Sequence, residues 1–400
     1  EGEENSATPA TCLQKHPNIE VVVDEGASQE LTRVKTPWLV GTCLWPERFI
    51  RTAVLWLCRK VDKPILKLTY QDYIDNRLGQ LLEATGQTYD MINIQVFNDL
   101  QHTISGWPGG KPNADDSTRP ERATPYPKRV LIFSPHPDDD VISMGGTFIR
   151  LIAQGHDVHV AYQTSGNIAV LDDIVLQTLD TARECGFVDR YNEVQEIINN
   201  KKKGEAEPIE LRRLKGSIRR AEAKAACRQM GLTDPSHVHF LNLPFYETGG
   251  VKKGLLTDKD IQIVVDLLRE IKPHQIYAAG DLSDPHGTHR VCIEAVLAAM
   301  EVVQDEEWVK ECRLWLYRGA WQEWDLDMVD MAVPLSPDEV IQKRHAIYRH
   351  LSQKDIVPFP GEDKREFWQR AEERNQNTAR LYDKLGMAEY QAIEVFVRLF

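Results

Sequence analysis

The sequence lacks several features that would each have assigned it to a particular class of protein. It has no run of about 18 apolar residues, so it offers no segment typical of a membrane span. It also lacks an excess of basic residues, because 48 Lys and Arg stand against 61 Asp and Glu, a net charge of −13. Nucleic-acid-binding proteins usually present a basic surface to phosphate groups, so this balance predicts no nucleic acid partner.

Cysteine is scarce and scattered. The seven cysteines are odd in number, and no two are spaced as Cys-x-x-Cys, which argues against a disulfide framework and against a cysteine-based zinc site. We therefore expect a reducing, cytoplasmic compartment. The first ten residues, EGEENSATPA, are acidic and polar, unlike a signal peptide, and do not begin with Met. We expect a processed product or a piece of a longer chain.

One stretch rich in proline and glycine divides the sequence. Residues 106–127 contain five prolines and three glycines in 22 residues. Proline fixes φ and has no backbone N–H to donate, so this stretch cannot form a helix interior or a central strand. We predict a linker at 106–127, between an N-terminal segment of residues 1–105 and a domain of residues 128–400. The latter is long enough for one large α/β domain.

Strand and helix patterns alternate beyond this linker, which predicts a Rossmann-like α/β fold with a mostly parallel sheet and helices on both faces. In the N-terminal segment, a helix is predicted over 46–59, a strand over 65–70 and a helix over 72–83, giving a smaller α/β segment. The strands predicted in the larger part lie within residues 129–134, 156–166, 237–243, 275–279 and 312–318.

Two polar motifs follow predicted strands. SPHPDDD (134–140) follows the first strand and DPHGTH (284–289) follows the fourth. Ligands of such sheets bind beyond the carboxyl ends of the strands, so we expect the two motifs to converge. His136, Asp139 and His289 would then offer two imidazoles and one carboxylate, a donor set suited to a catalytic Zn²⁺ ion with a position open for water.

The neighbouring residues suggest roles in proton transfer. Asp138 lies beside the metal ligands and would take a proton from the attacking water, while His286 would face the oxygen on which negative charge develops. Asp140 is assigned to the N-cap of the following helix. A competing interpretation is the two-His-one-carboxylate triad of non-haem iron oxygenases, formed by His136, Asp138 and His289. Those enzymes are usually all-β barrels, whereas this motif joins a strand to a helix.

These motifs, together with GGT (145–147), resemble the LmbE/PIG-L family of zinc-dependent de-N-acetylases. Two further segments are similar to the family: RRAE (219–222), on a helix that ends at Gly231, and KRHA (343–346) followed by HLSQ (350–353). The resemblance covers roughly residues 128–400. The sequence departs from the usual family pattern at Asp140, Thr288 and Phe245, where many members carry Glu, Asp and Asp.

The resemblance implies an amidohydrolase that removes acetate from an N-acetylglucosamine derivative, a small-molecule substrate of amino-sugar metabolism. It implies one Zn²⁺ ion per chain on His136, Asp139 and His289, although Fe²⁺ or Co²⁺ would suit the same donors. Asp138 would be the general base, and His286 would stabilise the oxyanion or protonate the leaving amine. Arg219 would contact the sugar-bearing substrate. The sequence is compatible with a homo-oligomer and does not fix the oligomeric state.

The N-terminal segment resembles a different family. VDEGASQEL (23–31), followed by VKT (34–36), is similar to the last segment of glucosamine-6-phosphate deaminases. The catalytic residues of that family lie upstream of the segment, so no catalytic role is carried over. The resemblance implies a deaminase-like remnant in a fusion, and it leaves open an alternative in which the α/β domain is a non-catalytic scaffold or sensor.

Overall fold

The computed structural model describes residues 3–28, 31–187, 191–202, 205–250, 252–281, 287–319, 322–354 and 365–400. They fall into two compact units, Glu1–Asp99 with Lys384–Gly386, and Leu100–Asp383 with Met387–Phe400. The domain and linker boundaries drawn from the sequence remain predictions. No helix in the described ranges is long and apolar enough to cross a membrane.

The smaller unit is helical in its described residues, so the predicted N-terminal α/β segment is wrong. The helix predicted over 46–59 is present, but the strand predicted over 65–70 is a 3-10 turn, Ile65–Lys67. The helix predicted over 72–83 is broken in two, because Arg77 adopts a positive φ of 63°. The α-helices up to the start of the larger unit are α1 (Glu25–Ser28), α2 (Thr32–Lys35), α3 (Glu47–Val61), α4 (Tyr70–Asp75), α5 (Gly79–Thr85) and α6 (Tyr89–Thr103).

An aromatic cluster forms part of the core of this unit. The Trp38 ring is almost fully buried, and the rings of Trp45, Phe49 and Trp56 lie with their centroids 6.0, 5.4 and 5.3 Å from it. Two of these contacts are edge-to-face, the arrangement that the aromatic quadrupole favours. Trp45, Phe49 and Trp56 therefore pack around Trp38 as part of this core.

The larger unit is built on a seven-stranded, mostly parallel sheet, which confirms the predicted α/β class. The strands are β1 (Arg129–Ser134), β2 (Asp157–Tyr162), β3 (Val238–Phe240), β4 (Gln275–Ala279), β5 (Arg313–Tyr317), β6 (Met331–Leu335) and β7 (Ala392–Arg398). Their order in the sheet is β3-β2-β1-β4-β5-β7-β6, and β7 is antiparallel to both of its neighbours. Strands β6 and β7 were not predicted. Pro334 weakens the strand pattern of β6, and the sheet tolerates this proline because β6 is an edge strand.

Helices cover both faces of the sheet, as the fully buried runs of β1 and β4 require. The α-helices of this unit are α7 (Asp139–Ala153), α8 (Asp172–Glu184), α9 (Tyr191–Asn199), α10 (Ile209–Met230), α11 (Asp258–Ile271), α12 (Thr288–Val303), α13 (Pro337–Ile347) and α14 (Phe367–Lys384). Apolar residues of α7, α10 and α13 pack on one face, and those of α11 and α12 pack on the other. Short 3-10 helices span Pro9–Lys15, Pro37–Leu39, Asn167–Ala169, Pro235–His237, Glu307–Glu311 and Leu351–Gln353.

The stretch rich in proline and glycine packs at the amino ends of β1 and β4. Gln275 donates from Nε2 to the Pro108 carbonyl at 2.8 Å and to Glu121 Oε2 at 2.6 Å. Lys128 Nζ donates to the Arg122 carbonyl at 2.6 Å. A Cβ on Gly110 would lie 1.9 Å from that carbonyl oxygen, so only glycine fits this close approach. This stretch therefore packs at the amino ends of the strands, whereas the polar motifs follow their carboxyl ends.

Candidate metal centre and active site

The first polar motif turns sharply as it leaves β1. The backbone N–H of His136 donates to Asp139 Oδ2 at 2.8 Å, and the His136 Nδ1 atom lies 3.1 Å from the same oxygen. One carboxylate oxygen is thus held by the main chain and faces an imidazole from the same turn. Asp139 is almost fully buried, whereas His136 is partly exposed.

The second motif supplies His289 from the first turn of α12. Its Nε2 atom lies 3.2 Å from Asp139 Oδ2, and the ring centroids of His289 and His136 are 5.3 Å apart. Burial opposes ionisation of Asp139, but the imidazoles of His289 and His136 hold the pKa of this carboxyl well below its usual range. The predicted convergence of these three residues is therefore present. His286 lies outside the described residues.

The donor set fits a divalent transition-metal ion. His136, Asp139 and His289 each offer one ligand atom, and these atoms lie within 4.8 Å of one another. Two imidazole nitrogens and one carboxylate oxygen are donors that Zn²⁺, Fe²⁺ and Co²⁺ accept. Asp138 lies outside this group. The iron-type triad, which needs Asp138 as its carboxylate, is thus not the arrangement that the fold assembles.

Asp138 faces a buried arginine. Arg219 Nη2 lies 3.1 Å from Asp138 Oδ1, and Arg219 is only 1% exposed. Burial raises the pKa of Asp138, and the guanidinium of Arg219 opposes that rise. A carboxylate whose pKa is raised by burial binds a proton more tightly than one in water.

Arg219 is itself tied to the HLSQ segment through Glu222. Arg219 Nη1 lies 3.8 Å from Glu222 Oε2, and Glu222 accepts from the Ser352 N–H at 2.6 Å and from Ser352 Oγ at 2.7 Å. In the described part of the chain, Arg219 Nε and Nη1 have no hydrogen-bond partner. The RRAE and HLSQ motifs, 130 residues apart, thus together support the carboxylate of Asp138. Contact between Arg219 and a substrate remains a prediction.

Asp140 does not cap α7, so that assignment is wrong. Asp138 occupies the cap position without a capping hydrogen bond, and Asp140 lies inside the first turn. The Asp140 side chain accepts from the Tyr162 hydroxyl at 3.0 Å and from Ser134 Oγ at 3.2 Å. Burial raises the pKa of Asp140 to about 7. Asp140 therefore anchors the start of α7 to β1 and β2.

The GGT motif lies where α7 is broken, at Met144, whose φ of −136° is not helical. The break frees backbone groups, and side chains satisfy them. Glu394 accepts from the N–H groups of Gly146 and Thr147 at 3.0 and 2.7 Å, and Arg374 Nη2 donates to the Ile142 carbonyl at 3.2 Å.

The two glycines of the motif are needed for packing. A Cβ on Gly145 would lie 2.9 Å from Lys343 Cγ, and one on Gly146 would lie 2.5 Å from Leu335 Cδ1. Such distances are too short for a methyl group in a packed core. GGT is therefore a structural motif: it lets α7 approach α13 and β6 while the first turn presents Asp139.

His350 belongs to the site, although sequence reasoning gave it no role of its own. It is 3% exposed and lines a small cavity together with Asp138 and Ile142. Neither ring nitrogen has a hydrogen-bond partner among the described residues. Burial, together with the charge of Arg219, lowers the pKa of His350 well below its usual range. The available signal was its position in the HLSQ segment.

Residues 131–300 match the family described as PIG-L: GlcNAc-PI de-N-acetylase. The chain thus contains a PIG-L/LmbE de-N-acetylase domain. It is 53% identical over 409 residues to a protein of Bacteroides thetaiotaomicron that is named a glucosamine-6-phosphate deaminase-like protein. That alignment covers 99% of this chain and 61% of the relative, so the chain spans about three fifths of the relative's length.

Solved structures with a similar fold have diverse activities. The N,N'-diacetylchitobiose deacetylase of Pyrococcus horikoshii is 20% identical with a TM-score of 0.41, covering 68% of this chain and 84% of that chain. GalB of Pseudomonas putida, a 4-carboxy-2-hydroxymuconate hydratase, is 18% identical with a TM-score of 0.44, covering 68% and 96%. At this level of similarity, neither activity transfers to the present chain.

Proposed function

We propose that this chain hydrolyses the N-acetyl group of an N-acetylglucosamine derivative. It would use one divalent metal ion, preferably zinc, bound by His136, Asp139 and His289. The main observation in support is that these ligand atoms converge next to Asp138, a buried carboxylate that forms an ion pair with Arg219. When bound, such an ion polarises an amide carbonyl and lowers the pKa of water. Hydrolysis then requires a base for the water and a proton for the leaving amine.

Asp138 supplies the base. Asp138 directly precedes the proposed ligand Asp139, so its carboxylate would be close to the reacting water, and Arg219, 3.1 Å away, would fix its orientation. Asp138 accepts a proton as the water oxygen bonds to the carbonyl carbon. The C–N bond then breaks, the amine takes a proton from Asp138 or from His286, and acetate leaves. The role of His286 rests on the family resemblance.

His350 and Arg219 are proposed to bind the substrate. His350 presents a neutral imidazole beside Asp138, and neither of its nitrogens has a hydrogen-bond partner among the described residues. A buried, unpaired polar group costs free energy, about 1–3 kcal/mol, which a substrate hydrogen bond would offset. Nε and Nη1 of Arg219, which have no hydrogen-bond partner in the ranges that the structure describes, are donors that suit a hydroxyl-rich or phosphorylated sugar.

The amino-sugar assignment draws on the family and on the relative. The matched family is described by a GlcNAc derivative, and the name of the relative contains glucosamine 6-phosphate, a deacetylated amino sugar. A deacetylase fused to a deaminase-like part would place two consecutive steps of amino-sugar breakdown on one chain. We therefore propose a small-molecule amino-sugar substrate. The scattered cysteines of the sequence are the ground for also proposing a cytoplasmic location.

Acetate release from the zinc-loaded protein tests this function. The substrates are N-acetylglucosamine, its 6-phosphate, N,N'-diacetylchitobiose and a non-sugar acetamide, with Asp138→Asn as the inactive variant. Release from a sugar substrate that exceeds release from the non-sugar acetamide, and that Asp138→Asn abolishes, supports the proposal. Equal rates on sugar and non-sugar acetamides would refute the amino-sugar assignment.

The alternative, a non-catalytic scaffold or sensor, predicts no acetate release from any of these compounds, although the metal would still bind. The buried Asp138–Arg219 pair favours the enzyme. Burying two charges usually stabilises a fold no better than apolar residues of similar size would, so a function explains the pair better than stability does.

A further inference from the structure

We propose that Asp157, His159 and His237 form a second metal site, for a divalent transition-metal ion of the zinc class, at the edge of the sheet. Together with His239, these residues are called the edge cluster. Their three ligand atoms lie within 4.8 Å of one another. The proposal does not depend on the proposed hydrolysis.

The strand pairing explains how these side chains meet. In the parallel pair β2–β3, Val160 is opposite Val238 and Ala161 is opposite His239. One step back in this register brings His159 opposite His237, and their rings stack with centroids 4.2 Å apart. Because side chains two residues apart share a face, Asp157 and His239 lie on the same side as these rings.

The distances suit a metal ion. Asp157 Oδ1 lies 3.3 Å from His159 Nε2 and 3.7 Å from His237 Nδ1. Ligands about 2.0–2.1 Å from a tetrahedral Zn²⁺ ion are separated from one another by about 3.3 Å. One carboxylate and two imidazoles thus occupy three corners of such a site, and solvent can supply the fourth, since all three residues are only partly buried.

A neighbouring side chain is placed to hold His159 in the form that binds metal. His159 Nδ1 lies 3.1 Å from His239 Nε2, so it can donate to that nitrogen and leave Nε2 with its lone pair. His237 Nδ1 lies 3.2 Å from the Val158 carbonyl oxygen, so metal binding would replace that hydrogen bond and put the ring proton on Nε2, which lies 3.9 Å from Asp234 Oδ2. Carboxylates and other acceptors on the second ring nitrogen commonly orient metal-binding histidines.

The pKa shifts of two of these histidines agree with this role. Burial, reinforced by the neighbouring His237, lowers the pKa of His159. Burial also lowers the pKa of His239. Neutral imidazoles at neutral pH are the form that ligates metal without first losing a proton.

The location makes the site independent of the candidate active site. Asp157 is level with Arg129, at the start of β1, whereas His136 follows the end of that strand. At about 3.3 Å per residue, the two centres lie roughly 17 Å apart along the strands. The bound ion would join β2 to β3, the three-residue strand at the edge of the sheet.

Metal stoichiometry tests the proposal. The full chain is dialysed against micromolar free Zn²⁺, and bound zinc is measured. We expect two ions per chain, one ion for His159→Asn, and two ions for the control His102→Asn, which alters an exposed histidine of α6. A His159→Asn chain that binds as much zinc as the unaltered chain would overturn the proposal.

A second measurement covers variants that fold poorly. In a His289→Ala chain, which lacks a ligand of the first centre, Zn²⁺ should raise the unfolding temperature by several degrees. Adding His237→Gln should abolish that rise. A rise that remains in the double variant contradicts the proposal. In a separate assay of the first centre, His159→Asn should release acetate at the same rate as the unaltered chain.

Discussion

Arg219 and Asp138 form a buried ion pair, with Nη2 of the arginine 3.1 Å from Oδ1 of the aspartate. Glu222 lies 3.8 Å from Nη1 of the arginine and accepts a hydrogen bond from Ser352 Oγ. The pair gives the carboxylate a fixed direction, as the proposed role of Asp138 as a general base requires.

The first prediction concerns this fixed direction. Arg219→Lys keeps the positive charge but loses the planar guanidinium that faces both Asp138 and Glu222. Turnover should fall by roughly 10- to 100-fold, the effect expected of a misplaced catalytic group, while bound metal stays unchanged. Steady-state kinetics together with metal analysis check this. Unchanged turnover would show that Arg219 does not position the base.

Asp138→Asn separates the base from the metal ligands. The amide cannot accept the proton of the attacking water, so turnover should fall by about 10²–10⁴-fold while zinc is retained. The matched control is Asp305→Asn, an exposed aspartate, which should behave as the unaltered protein. Loss of zinc from Asp138→Asn, with zinc retained in Asp139→Asn, would restore the iron-type triad.

Removal of a ligand should empty the first metal centre. His136→Ala, Asp139→Ala and His289→Ala each leave two protein donors, too few for tight binding of Zn²⁺. Zinc is counted in a background of His159→Asn, so that the edge cluster does not contribute. The control is His345→Ala, an exposed histidine of α13. Full zinc content in His289→Ala would require another third ligand.

The carboxylate behind the GGT motif should be important for stability. Glu394 lies 2.7 Å from Lys343 Nζ, and both residues are 1% exposed. Glu394→Gln leaves the lysine buried without its counter-charge and should lower the free energy of unfolding by about 3–5 kcal/mol. Urea denaturation measures this, with the exposed Glu389→Gln as control. A further change, Lys343→Met, should cost less in the Glu394→Gln background than alone.

The same carboxylate predicts a pH dependence. Although burial opposes it, the cation of Lys343 lowers the pKa of Glu394 below its usual range. A lowered pKa stabilises the fold above the unfolded value, about 4.3, and this contribution is lost as pH falls through the folded value. The stability difference between the unaltered chain and Glu394→Gln should thus be constant near neutral pH and shrink below about pH 4. A difference that does not shrink on acidification would contradict this assignment.

Local patterns predicted much of the parallel sheet and the metal ligands. The buried strand Arg129–Ser134 and the strand Gln275–Ala279 have the predicted bounds, because continuous apolar runs between polar turns are a strong local signal. Their carboxyl ends share one edge, so His136, Asp139 and His289 could be placed together from spacing alone. The strand Met331–Leu335 was missed because its proline is tolerated only at a sheet edge, a position that the local sequence does not reveal.

What the sequence by itself determined is the class of fold and the donor set of the candidate metal centre, since both follow from residue types at fixed local spacings. Only the tertiary structure decided that Arg219 faces Asp138, that Asp140 anchors the first turn of α7 instead of capping it, and that Glu394 closes the break at Met144. The stacking of the His159 ring on the His237 ring likewise became visible only in the tertiary structure. These contacts join residues far apart in the chain, and their partners are fixed by how the helices and strands pack, which no local pattern contains.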